Sequence, residues 1–199
     1  MGVLITNDLS WSPHINNTVS RAKSSLGFIK RNLRGCPVRL RETAYVTLVR
    51  SVLEYAATIW DPHLAKDITA LEGVQRKAAR FVKHDYSRYS SVTTMLQDLG
   101  WTSLQDRRRD YRLALFYKVA HELIAVPAGE LDLVSPARPT RANHKYKYRE
   151  LGFNTTELKH FVIHRTISEW NKLPAHAVEA ESLASFKAQL ARLEGPTSA

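Results

Sequence analysis

The side chains best suited to act on another molecule are cations at helical spacing. Lys23, Lys30, Arg31 and Arg34 recur in one stretch, and Arg76, Lys77, Arg80 and Lys83 in another, so that each set lies along one side of a helix. Rows of ammonium and guanidinium groups fit phosphate contact. Each contact releases condensed counterions and adds affinity, and none reads a base sequence. The plainer reading of both rows is the solvated outer face of an amphipathic helix. A denser cluster, Arg107, Arg108, Arg109 and Arg112, is interleaved with Asp106 and Asp110, which can pair with arginine along a helix as readily as the arginines can grip phosphate. The string His144, Lys145, Tyr146, Lys147, Tyr148, Arg149 alternates cation and ring. That suits stacking on a single strand, and equally an edge strand or a disordered segment.

Bond-making chemistry is less well provided. His160 and His164 lie four apart, but Phe161, Val162 and Ile163 stand between them, without the carboxylate of a metalloprotease helix. Asp106 with Asp110, and Glu179 with Glu181, read better as exposed carboxylates than as an acid-base pair. Cys36 is the single cysteine, which excludes a disulfide framework and a thiolate zinc knuckle and points to an intracellular setting. We therefore expect no catalytic residue, no metal site, no cofactor and no small-molecule substrate. Trp11, Trp60, Trp101 and Trp170 each sit beside an expected element boundary and read as core packing.

Charge sets the partner class. Twenty-nine Lys and Arg against nineteen Asp and Glu in 199 residues leave a formal net charge of +10, which favours polyanions. The excess leans forward, with eight basic against three acidic residues over 1–60. No apolar run approaches the roughly 20 residues that span a bilayer, so no membrane partner is expected. Met1, Gly2 and Thr6 fit the bare myristoylation pattern, but no polybasic patch follows at once.

The elements that must position these groups are helical. Gly2 to Ile5 reads as a short strand remnant. Ser12 as N-cap and Pro13 at the first helical position start a helix whose apolar face is Ile15, Val19, Ala22, Leu26, Ile29 and Leu33. Gly35, Cys36 and Pro37 stop it. A second helix runs from about Arg39 to Trp60 on a stripe of Leu40, Ala44, Leu48, Val52, Ala56 and Ile59. A third, Lys66 to Lys83, buries Ile68, Leu71, Val74, Ala78 and Phe81 or Val82. Ser90 and Ser91 cap a short helix ended by Gly100, and Ser103 with Asp106 resembles a capping box ahead of a helix to about Ile124. Pro127, Pro136 and Pro139 amid Arg138, Arg141, Lys145 and Lys147 mark an exposed linker. Two further helices follow over about 158–173 and 182–193. The expected fold class is all-α, a bundle of about six helices with an N-terminal strand remnant and a basic mid-chain linker.

The order of phrases along the chain resembles the end of the polymerase in jockey-like non-long-terminal-repeat retrotransposons. These phrases are Gly2-Val3, Leu9-Ser10-Trp11 and His14-Ile15; Ala22-Lys23, Leu26-Gly27 and Arg31-Asn32-Leu33; Leu48-Val49-Arg50, Leu53-Glu54-Tyr55-Ala56 and Trp60-Asp61-Pro62; Leu71-Glu72 and Val74 through Phe81. Later come Ser91-Val92, Met95-Leu96, Leu99-Gly100-Trp101, Leu104 and Arg107-Arg108, then Trp170-Asn171-Lys172-Leu173-Pro174 and Ser185-Phe186-Lys187. The resemblance implies a remnant of the palm-end strand in 1–10, a thumb-like helical domain in 11–125, the basic linker in 126–150 and a C-terminal helical subdomain in 151–199. In that family the thumb grips the template-primer duplex, so the implied partner is RNA or an RNA–DNA hybrid. The implied contacts are Lys23, Lys30, Arg31, Arg34, Arg76, Lys77, Arg80 and Lys83.

Polymerase chemistry needs paired aspartates holding two metal ions. No Tyr-x-Asp-Asp and no adjacent Asp-Asp occurs in the chain, so the expectation is a fragment without the catalytic palm and without enzyme activity. The competing expectation is a protein-interaction or scaffold module, with self-association through surface left by the missing palm. Basic stretches such as Arg107 to Arg109 are compatible with a nuclear or a cytoplasmic location.

Overall fold

The computed structural model describes residues 2–8, 10–125, 133, 144–150 and 162–193. Among these residues the chain is all-helical, without a strand. The segments are α1 (Ser12–Asn32), α2 (Val38–Tyr45), a π turn (Val46–Arg50), α3 (Ser51–Glu54), α4 (Ala57–Trp60), α5 (Ala65–Lys83), α6 (Val92–Asp98) and α7 (Leu104–Ala120), followed by α8 (Val162–Trp170), α9 (Ala175–Val178) and α10 (Leu183–Leu193). The expected all-α class holds, in more and shorter pieces than six. The strand expected at Gly2–Ile5 does not form. A lone strand has no neighbour to pair with, and the Leu4 N–H instead donates to Nδ1 of His14 on α1 at 3.1 Å. The expected linker at 126–150 falls largely outside the described residues.

The second expected helix needs two corrections. It is interrupted twice, by the π turn and by Ala56, whose φ of 54° is left-handed, a conformation that strains any residue with a Cβ. Its buried face is also shifted: of the expected stripe Ala44 is buried and Val52 and Ala56 pack partly buried against the core. Arg41, Tyr45, Val49, Leu53, Ala57 and Trp60 are buried, whereas Leu48 is 48% and Ile59 54% exposed. Steps of four drift around a helix of 3.6 residues per turn, and a π turn takes up an extra residue that offsets the drift. Tyr45, Val49, Leu53 and Ala57 thereby stay on one side. Leu40, Leu48, Tyr55 and Ile59 are left as exposed apolar groups on the rod.

Contacts divide the chain into residues 1–108 and 109–199, so the division falls inside α7 and not at the proline-containing stretch. In the first unit α1 packs on α5 and on the α2–α3 rod, and α5 packs on α6. Ile15, Leu26 and Ile29 of α1 share a core with Tyr45, Leu53, Trp60, Leu71, Val74 and Phe81. Polar groups inside it are matched. Tyr45 stacks on Trp101 with ring centroids 4.3 Å apart and donates its hydroxyl proton to Gln75 Oε1, while Gln75 Nε2 donates to the Thr102 carbonyl. Buried Arg41 donates to the Phe81 carbonyl at 2.8 Å, an acceptor at the end of α5 that it shares with the His84 N–H. Ser12 does not cap α1 with its side chain, because its hydroxyl donates to Asp67 Oδ2 at 2.7 Å and ties the first turns of α1 and α5 together.

The second unit has its own aromatic core of Phe116, Tyr117, Trp170 and Phe186 with Leu113, Ile167 and Leu190. The Tyr117 hydroxyl donates to the Ala180 carbonyl, and Trp170 Nε1 to the Tyr146 carbonyl. Asn171 holds Tyr148 through both of its backbone groups.

Two glycines of the first unit should respond oppositely to the same substitution. Gly100 ends α6 at φ 63° with open space where a Cβ would go, so Gly100→Ala should cost about 1 kcal/mol from backbone strain alone. Gly73, inside α5 and equally unobstructed, should gain roughly 0.5–1 kcal/mol as alanine. Urea unfolding of the two variants checks both signs.

Candidate nucleic-acid interface

α1 and α5, which carry most of the two cationic rows, pack together. Ser12 and Asp67 join their first turns, and Lys77 of α5 is near enough for its charge to act on Lys30 of α1. The Lys30 ammonium is held below its ordinary 10.5, first by burial and then by the positive charge of Lys77. Lys30 is half-buried, while Lys23, Arg31, Arg34, Arg76 and Lys77 are exposed. Arg31 lies back along its own helix, its Nη1 3.5 Å from where a Gly27 Cβ would stand. None of these six forms an ion pair among the described residues.

The other two have internal work. Arg80 donates to the Ser87 carbonyl at 2.8 Å and the Ser90 carbonyl at 3.4 Å. Lys83 pairs with Asp98 on α6 at 2.9 Å. The cations left open to an outside anion are therefore Lys23, Lys30, Arg31, Arg34, Arg76 and Lys77.

The Arg107–Arg112 cluster reaches carboxylates distant in sequence. Within the first unit Arg107 forks onto Glu54, with Nη2–Oε2 at 3.2 Å, and Arg108 Nε meets Asp61 Oδ1 at 2.8 Å with both side chains almost wholly buried. Within the second, Arg112 is buried and donates to Thr166 Oγ1 and to both oxygens of Glu169, which Arg109 approaches at 3.7 Å. The Ser103 hydroxyl accepts from the Asp106 N–H at 2.9 Å, as the cap anticipates, and donates its own proton to Asp106 Oδ2. The tyrosine-containing string is docked as well. Tyr146 packs on His121 and Tyr148 on Phe116, so both rings serve the second core and are half-buried.

One feature of the first unit was not singled out from sequence. The loop between α5 and α6 carries Tyr86 and Tyr89 at 58% and 83% exposure. Lys30 Nζ lies over the Tyr86 ring, 5.9 Å from its centroid, and the Arg88 guanidinium lies 4.9 Å from that of Tyr89. The available signal was a Tyr-Ser-Arg-Tyr run directly after a cationic helix.

Elsewhere, no group of three His, Cys, Asp or Glu side chains gathers as a metal site among the described residues. His164 is half-buried, and His160 lies outside the described residues. Cys36 is a partly exposed free thiol. Glu179 accepts from the Lys145 N–H, and Glu181 is exposed. A cavity of about 230 Å³ in the second unit is lined by Leu115, Phe116, Val119, Ile124, Val162 and Ile163, with Arg112 and Thr166. Among the described residues no helix is long and apolar enough to cross a membrane. No protein-family model, curated protein or solved structure matches the chain.

Proposed function

We propose that the first unit binds RNA or an RNA–DNA hybrid without sequence specificity, as the thumb and tail of a retrotransposon-type reverse transcriptase separated from its catalytic palm. The observation that carries this reading is the set of Lys and Arg side chains from α1 to α5, Lys30 and Lys77 among them, that form no ion pair among the described residues and so can be matched by an anion supplied from outside. Lys23, Arg31, Arg34 and Arg76 extend the positive field around that pair. The partner then follows from charge and from the resemblance of the sequence to the thumb region. The chain itself carries no polymerase chemistry in this reading, and purified chain with Mg²⁺ and a primed template should extend nothing.

The test is fluorescence anisotropy of the whole chain against an RNA–DNA hybrid, single-stranded RNA and double-stranded DNA at 50 and 200 mM salt. Four phosphate contacts would weaken binding by about 10²-fold across that range. Absence of binding at 50 mM by a folded monomer would overturn the reading.

A second reading has its own observation. Leu40, Leu48, Tyr55 and Ile59 are exposed apolar groups on the α2–α4 rod, in keeping with a protein-interaction or scaffold module that self-associates. Light scattering discriminates: a monomer across the concentration range removes it, and a dimer dispersed by Leu48→Glu favours it.

A further inference from the structure

We infer that the loop between α5 and α6 is a stacking platform for an unpaired nucleobase, with Tyr86 as the ring and Lys30 as the cation for the adjoining phosphate. The inference rests on the proposed phosphate-binding face and adds a preference for single strands or frayed ends over blunt duplex.

The loop is held in place. α5 ends at His84 with a left-handed φ of 55°, and the Asp85 N–H returns to the Arg80 carbonyl. The Arg80 side chain then donates across the loop to the Ser87 and Ser90 carbonyls. Asp85 Oδ1 accepts from the Ser87 N–H, and the Ser91 hydroxyl accepts from the Thr94 N–H at the start of α6. A loop pinned at both ends and in the middle presents its side chains with little ordering left to lose on binding.

What it presents is an aromatic surface that the core does not use. Tyr86 contributes nothing to the buried cluster of this unit, and more than half of it faces solvent. His84 stands against its ring at 81°, with centroids 6.1 Å apart, and Lys30 covers part of one face. A base has a π face whatever its identity, so an exposed ring beside a cation takes any base and its phosphate together. Tyr89 is more exposed, but its ring partner is Arg88 of the same loop. Tyr86 is coupled to α1 through Lys30.

The test uses the whole chain and three fluorescent probes: a single-stranded RNA, an oligomer of equal length and charge lacking its bases, and a blunt RNA–DNA hybrid. Tyr86→Ala should weaken binding of the single-stranded RNA about tenfold, while its affinities for the baseless oligomer and the blunt hybrid, its salt slope and its melting temperature stay unchanged. Tyr86→Phe should restore binding of the RNA, since the ring and not the hydroxyl stacks. Unchanged affinity of Tyr86→Ala for the RNA, with hybrid binding intact, overturns the platform and leaves the phosphate face standing. Equal loss on the RNA and the baseless oligomer also overturns it, because the effect would then be electrostatic or structural. Failure of the unaltered chain to bind any of the three probes removes both readings at once.

Discussion

Replacing Asp61 with alanine should destabilise the first unit by about 3–5 kcal/mol, because it strands the Arg108 charge in the interior. Arg108 is 0% exposed, and its Nε reaches Asp61 Oδ1 at 2.8 Å. Neither terminal nitrogen has a hydrogen-bond partner among the described residues. The guanidinium thus depends on Asp61 as its hydrogen-bonded carboxylate, with the charge of Glu72 acting from farther off. A domain of this size has about 5–15 kcal/mol in total, so the variant should unfold at much lower urea with its slope preserved. The contrasting substitution is the pair Asp61→Leu with Arg108→Met, which removes both charges and should recover most of the loss. Arg107, the neighbouring residue on α7, and its partner Glu54 on α3 retain side-chain exposures of 27% and 14%. Glu54→Gln should accordingly cost only about 1 kcal/mol. Equal losses at Asp61 and Glu54 would contradict this ordering.

The same arginines mark what was legible in the sequence. Their density is visible, and so are Asp106 and Asp110 at helical spacing. That Asp61 and Glu169 are partners depends on chain reversals that local pattern does not encode, since they lie 47 and 57 residues from Arg108 and Arg112. α5 is legible because a single apolar stripe, Leu71, Val74, Ala78, Phe81, Val82, excludes competing registers. The rod from Val38 to Trp60 carries two stripes that both step by four. Periodicity alone cannot choose between them, and the π turn that favours the Tyr45–Val49–Leu53 stripe leaves no mark in residue type.

The unit division was hidden for a related reason. α7 continues unbroken across it, Leu104 lying in the first core and Leu113, Phe116 and Tyr117 in the second, while prolines farther on drew the expected boundary. For the candidate interface, spacing placed Lys23, Lys30 and Arg31 on α1 and Arg76, Lys77, Arg80 and Lys83 on α5, while Arg34 lies in the turn beyond α1. It did not separate Arg80 and Lys83, whose partners are loop carbonyls and Asp98, from Lys30 and Lys77, because the difference lies in tertiary neighbours. Tyr86 is not legible in the sequence because loop aromatics carry no periodic signal.

Reversing both charges of the central pair, Lys30→Glu with Lys77→Glu, should abolish measurable nucleic-acid binding at moderate salt while leaving the fold intact. Each lost phosphate contact lowers the salt slope by about one, and each introduced carboxylate repels the same backbone. The loss should be the same for RNA, hybrid and DNA, because phosphate contacts carry no base information.

The pair also predicts a linkage. Burial and Lys77 hold Lys30 below 10.5, so the folded state sheds a proton that the unfolded state keeps. Stability should therefore rise as pH climbs through the lowered value toward 10.5 and level off above it, and Lys30→Met should remove that rise. A bound phosphate acts oppositely, favouring the ammonium. Binding should accordingly weaken over the same alkaline window in which the free fold gains stability. Lys77→Ala should move the Lys30 titration upward by NMR, and with it the pH at which binding falls. If Lys77→Ala leaves the Lys30 titration where it was, the two ammonium groups do not share a field, and the α1–α5 face loses the feature that singles it out.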